Sequence, residues 1–73
     1  MNIVKSETGV TGAVSIGGLV TVLKLRANGG DATVTINRQQ FNLYGADANW
    51  LELSIDVKNF TVDSGNIDYI GLG

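Results

Sequence analysis

Carboxylates, serines with lysines, and a pair of aromatics are the groups in this sequence whose types and spacing could do chemistry. The chain has no Cys and no His. That removes disulfides, thiolate metal sites, the commonest metal ligand and the commonest general base. A serine nucleophile would therefore need a lysine base, and no spacing among Ser6, Ser15, Ser54, Ser64 and Lys5, Lys24, Lys58 singles out a dyad. Glu52 and Asp56 share one face of a strand pattern two pleats apart. At about 3.4 Å per residue they are about 13–14 Å apart, too wide for the roughly 5–10 Å that paired carboxylates need in glycoside hydrolysis.

The run Asp63-Ser-Gly-Asn-Ile-Asp68 brings two carboxylates and an amide into a tight turn, an oxygen set of the kind hard cations favour. It does not follow the twelve-residue calcium-loop pattern and reads as a turn that needs no metal. Asp47-Ala-Asn49 is a weaker version of the same idea. The glycine pairs lack the Lys-Ser/Thr that follows a phosphate loop. Asn59-Phe-Thr61 fits the glycosylation pattern but is read as chance, because no signal segment is recognised. No catalytic, cofactor or metal residue is assigned, and no enzyme activity is expected. Tyr44 and Trp50 are the most informative side chains. Both lie opposite the apolar face of their strands and flank the loop at 45–49. Exposed aromatics on a β face can stack on sugar rings or anchor a protein interface, and plain packing on a neighbouring strand stays open beside both.

The elements that must position these residues are strands. In residues 32–42, Ala32, Val34 and Ile36 alternate with Thr33, Thr35 and Asn37, the period-2 pattern of a half-buried strand. The chain then reverses at Asn37-Arg38, where Asn accepts the positive φ of a tight hairpin turn, and continues through Phe41 and Leu43. Residues 19–27 form the longest candidate strand. Leu19 to Leu23 is apolar on both faces, and beyond it Leu25 and Ala27 oppose Lys24 and Arg26, which read as edge guards. Residues 50–57 alternate, with Leu51, Leu53, Ile55 and Val57 inward and Trp50, Glu52, Ser54 and Asp56 outward. Short strands are expected at 60–63 and 66–72, separated by a turn at Ser64-Gly65. Residues 1–16 form an extended N-terminal arm or an edge strand, interrupted by a turn or link at 9–12, with Gly17-Gly18 as a further break. The expected fold is a single domain over 1–73: a small antiparallel β-sandwich, jelly-roll-like, of six to eight short strands.

Composition bears on how such a domain is stabilised. A chain of 73 residues buries only about 60% of the surface its unfolded form exposes, and small domains usually add disulfides, metals or partners. Here partners are the remedy left. Charged residues make up 16% of the chain, against about 25% in ordinary soluble domains, and the absence of Pro removes a usual guard of edge strands. Both point to a homo-oligomer, with a trimer as the first guess. The net charge of −2 comes from five basic and seven acidic residues without a basic run, so no nucleic-acid partner is expected. Residues 9–23 fall short of the roughly 18 apolar residues a span requires, so neither a membrane partner nor a signal peptide is expected.

The segments Ala32-Thr-Val-Thr-Ile-Asn, Phe41-Asn-Leu, Leu51-Glu-Leu and Phe60-Thr-Val-Asp-Ser-Gly-Asn-Ile-Asp-Tyr-Ile70-Gly resemble small β-domain structural proteins of tailed bacteriophages, the accessory class that decorates capsids, vertices or tails. The resemblance covers about the C-terminal 40 residues, and many members carry Gly where this chain has Arg38. It implies a non-enzymatic virion component, made in the host cytoplasm and used in many symmetric copies. Its partners would be other virion proteins such as the major capsid protein. Tyr44 and Trp50 are the leading interface candidates, with Ile3, Val4 and Val10 of the N-terminal segment next. The alternative is a carbohydrate-binding module for host or surface attachment.

Overall fold

Alternating side chains need one covered face, and this chain meets that need with a single curled sheet whose parts fold over a common core. The computed structural model describes residues 2–46 and 49–73, among which there is no helix. The strands are β1 (Ile3–Val20), β2 (Val22–Ala27), β3 (Ala32–Ile36), β4 (Gln39–Leu43), β5 (Leu51–Leu53) and β6 (Val57–Leu72). All pairings are antiparallel, and the strands make one six-stranded sheet. The protein is thus a small antiparallel all-β domain.

The frame is the long ribbon of β1 against β6. The first part of β1 pairs with the last part of β6 (Ile3 opposite Leu72, Glu7 opposite Tyr69), and its later part pairs with the start of β6 (Val14 opposite Phe60, Val20 opposite Val57). On the other side of β6, β2 adds to residues 67–72 and β3 to residues 61–64. The ribbon therefore carries two leaves, β1-β6-β2-β5 and β1-β6-β3-β4, which close over one core. Leu23, Leu25, Ile67 and Tyr69 enter that core from the first leaf, and Val14, Val34, Ile36, Phe60 and Val62 from the second. Phe60 and Tyr69 meet edge to face across it, with centroids 5.2 Å apart.

Parity explains where the ribbon bends. Along a regular strand, residues an odd number apart face opposite ways. Val62 and Ile67 are both buried although five positions separate them, so one residue must be taken out of the alternation between them. Gly65 does this with φ +76, and the pairing of β3 with β6 shifts register beside it. This is the expected effect of a β-bulge. In β1 the register shifts on both sides of Val10, near Gly12 at φ +69. The breaks expected at 9–12 and at Ser64-Gly65 are therefore bulges inside long strands, and the strands on either side are continuous.

A true corner comes instead at Thr21. Val20 belongs to the second leaf and Val22 to the first, and the Thr21 N–H donates to the Leu72 carbonyl at 2.8 Å. Val20 and Leu23 are both fully buried at an odd spacing, which a straight strand over 19–27 would achieve only if both its faces were covered. The expected strand at 50–57 shortens to Leu51–Leu53 for a related reason. It pairs only with β2, over Leu51–Leu53, and the pairing stops one residue short of the corner at Thr21. Ile55 still packs against the core, and Val57 is buried at the start of β6.

The β3–β4 hairpin turns on two residues, Asn37 (φ 50) and Arg38 (φ 68), a backbone with positive φ at both central positions as in a type I′ turn. Arginine stands where glycine costs nothing sterically. Replacing it, Arg38→Gly, should raise stability by about 0.5–1 kcal/mol. Gly65→Ala should lower it by about 3 kcal/mol, since its Cβ would lie 2.5 Å from the Asp31 carbonyl oxygen. Gly12→Ala has open space around it and should cost only about 1 kcal/mol. Urea midpoints at unchanged slope measure all three.

Candidate functional site

The outer face of the first leaf holds one candidate surface. Ile3, Leu72 and Val22 stand opposite one another across β1, β6 and β2 and so point the same way. Ile70, two positions along β6, shares their face between Ser6 and Lys24. Ile3 is 64% exposed and the other three are half-buried, giving an apolar stripe across three strands. Val4 sits at the first register shift of β1. Its Cγ1 lies 3.0 Å from where a Gly18 Cβ would stand, so glycine lets the two ends of β1 lie together. Val10 is half-buried and packs against the core, apart from the stripe.

Tyr44 and Trp50 make the second surface. They follow β4 and precede β5, so the segment joining them crosses from one leaf to the other. Both line a single cleft of about 260 Å³, with Arg26, Asn42 and Asn49. Gly45 anchors the Tyr44 end: its N–H donates to Asp31 Oδ1 at 2.8 Å, and a Cβ there would meet the Gly30 backbone at 2.9 Å. Tyr44 is 57% exposed.

Beside the cleft, the second carboxylate of the Asp63–Asp68 run has partners that the sequence pattern did not reveal. Asp68, 5% exposed, accepts from Arg26 Nη2 at 2.9 Å, Asn28 Nδ2 at 2.8 Å and the Gly9 N–H at 3.0 Å. The Arg26 guanidinium in turn lies 4.4 Å from the centroid of the Trp50 ring, a cation–π distance. Lys24 and Arg26 were expected to guard an edge, but β2 runs between β6 and β5. Arg26 is there to answer a buried carboxylate. The hydrogen bond from Arg26 holds the Asp68 carboxyl below its usual range; burial opposes this, and the Gly9 and Asn28 bonds add to it.

The long free edge of β1 carries charge of its own. Lys5 and Glu7 stand opposite Gly71 and Tyr69 and so share the inward face, a recognised guard against edge pairing. The Tyr69 hydroxyl donates to Glu7 Oε1 at 2.6 Å. That bond lowers the Glu7 carboxyl against the opposing effect of burial, with Lys5 assisting. Burial, then Glu7, pushes the Tyr69 phenol upward. Lys5 also reaches the Ser15 carbonyl at 3.4 Å, tying the two halves of β1 together.

The remaining candidates are dispersed. Asp63 accepts from Thr35 and Gln40 on the outer face of the second leaf, so it and Asp68 serve separate networks on either side of the Gly65 bulge. Among the described residues no cluster of three or more acidic side chains could hold a metal. Asp47 of the Asp47-Ala-Asn49 run lies outside the described residues. Glu52 stands opposite Lys24, while Asp56 lies between β5 and β6, where its carbonyl accepts from Asn37. Ser64 shares a hydrogen bond of 2.7 Å with Thr33. Comparison with protein-family models, curated proteins and solved structures returns no match.

Because Asp68 ionises more readily in the fold than in the free chain, the unfolded state binds its proton more readily. The stability it confers is therefore complete above about pH 4 and is lost as pH falls through the lowered folded value. Wild-type denaturation midpoints should drop between about pH 5 and pH 2. Asp68→Asn should show a smaller drop, the remainder including Glu7. At pH 7, Asp68→Ala should cost about 2 kcal/mol, since it leaves the Gly9 N–H and Arg26 without their acceptor.

Proposed function

We propose that this chain is a non-enzymatic structural subunit of a virion, a capsid decoration or vertex or tail accessory protein that works in multiple symmetric copies. The observation that carries the reading is the apolar stripe of Ile3, Val22, Ile70 and Leu72 on the outer face of the first leaf. A chain whose charged fraction is 16% has little means of wetting such a face except by covering it. Asn2 and Gly73 exchange backbone hydrogen bonds of 3.1 and 2.9 Å, so the stripe is built on a strand held at its tip.

The mechanism is burial. A standard interface takes about 800 Å² from each partner. That is about a fifth of the 4235 Å² this chain exposes. The guarded inner edge of β1 directs association to faces and away from open-ended strand pairing, which suits a closed ring. Copies so joined would clamp a lattice of larger proteins such as a major capsid protein. The phage assignment itself rests on the resemblance of the C-terminal segments.

Light scattering after size exclusion at about 100 µM, well above a Kd on the order of 1 µM, should give a discrete oligomer, three times 7.7 kDa for a trimer. Ile3→Glu should weaken association by at least about tenfold while leaving the fold intact, since Ile3 is largely exposed. A wild-type monomer under these conditions overturns the reading.

A further inference from the structure

The cleft between Tyr44 and Trp50 does not end at Tyr44. On the other side of that ring lies a second hollow of about 220 Å³, lined by Asp31, Thr33, Asn42 and Ser64. Asn42, Leu43 and Tyr44 belong to both, so one exposed tyrosine divides two adjoining depressions. The two differ in chemistry. The first has aromatic rings and side-chain amides, the second a carboxylate and hydroxyls.

We propose that the two depressions are adjacent subsites for a neutral oligosaccharide, with one sugar ring on the Trp50 side of Tyr44 and the next on the Thr33–Ser64 side. Three features favour this occupant. Sugar rings present apolar C–H faces that aromatic rings cover and hydroxyl edges that amides, hydroxyls and carboxylates bind. Each depression is smaller than the roughly 300–1,000 Å³ of drug-sized sites, which suits one ring apiece. The charge balance favours a neutral sugar over an acidic one, because the Arg26 cation is already answered by Asp68 at 2.9 Å, and Asp31 brings a negative charge to the second hollow. One oxygen of Asp31 accepts from the Gly45 N–H, leaving the other to accept from a sugar hydroxyl.

The site is also held in place. Arg26 against Trp50 fixes that ring, and the packing of Gly45 on Gly30 fixes the base of Tyr44. Preorganised walls lose little freedom when a ligand binds. This proposal does not depend on assembly, and a monomer would carry the same two depressions.

The test is a titration of ¹⁵N-labelled protein with maltotriose, cellotriose and chitotriose, with sialyllactose as the acidic comparator. It follows the Trp50 indole N–H and the Asn42 and Asn49 side-chain amides. At least one neutral trisaccharide should shift these signals saturably, with Kd on the order of 1 mM. Tyr44→Ala should weaken that binding by about tenfold while keeping a dispersed spectrum. Thr33→Val, which preserves the β-branched shape, should weaken it severalfold through the second subsite alone. The proposal fails if no neutral trisaccharide gives a saturable shift or if sialyllactose binds more tightly than all of them. It also fails if both variants bind as the wild type does. A Tyr44→Ala protein that changes its solution mass but whose parent answers to no sugar makes the cleft a contact between copies, and likewise overturns it.

Discussion

Everything in this fold depends on one constraint: a two-stranded ribbon must present the same face inward on both sides of its own bend. The ribbon of β1 and β6 is shared by both leaves, so neither leaf has a core without it. Val62 and Ile67 could not both be buried on a regular strand. The bulge at Gly65 makes that possible, and the corner at Thr21 does the same for Val20 and Leu23. Each irregularity gives up local pairing and gains an apolar side chain for the core. Burial of a Val, Leu or Ile is worth about 1.5–3 kcal/mol, more than a single ladder hydrogen bond at about 1 kcal/mol net. The bend is therefore the stable arrangement, and the Phe60–Tyr69 contact closes it.

The same bend organises the polar chemistry. Asp68 lies just beyond the bulge in β6 and binds the backbone N–H of Gly9, where β1 bends. Its other partners are Asn28, at the end of β2, and Arg26, which carries the network outward to Trp50. A carboxylate that is 5% exposed would be costly alone. With three donors it becomes a pin through both strands of the ribbon. The geometry of the aromatic cleft is thus inherited from the bend and does not depend on the connecting segment alone.

This also explains which parts of the structure were legible in the sequence. The β3–β4 hairpin and the inward run Leu51, Leu53, Ile55 and Val57 could be read, because alternation and turn chemistry are local. The continuity of β1 through Gly9–Gly12 and of β6 through Ser64–Gly65 could not. Glycine marks a backbone that leaves the ordinary regions, but whether the chain then reverses or bulges depends on a partner strand far away in sequence. Asp68 is the same case for side chains. Beside Asp63 it looks like part of an acidic turn, whereas its charge partner Arg26 is 42 residues away. The apolar stripe was hidden for a third reason: Ile3, Val22, Ile70 and Leu72 come from three strands, and no local pattern joins one strand to the next. Tyr44 and Trp50 were visible as a pair because they flank one loop, but the hydroxyl-lined hollow beyond Tyr44 draws on β3 and β6.

The two proposed surfaces adjoin, and their energetics are complementary. The stripe and the Arg26–Trp50 wall of the cleft share the outer face of the first leaf, while the hollow lies next to Tyr44 where β3, β4 and β6 come together. Two shallow depressions, each the size of one ring, give weak binding in a single copy, because few groups touch the ligand and the costs of immobilising it remain. Held in a symmetric set, the same sites act together, and avidity can exceed the single-site affinity by 10²–10⁴ without any new contact. Weak single-site affinity is then a useful property, since it lets each copy release while the assembly stays attached. On this argument the domain needs neither a deep pocket nor a catalytic group. On the proposed reading, a rigid bent ribbon carries both the stripe that would meet its copies and the cleft that would meet a repetitive, hydroxyl-rich surface.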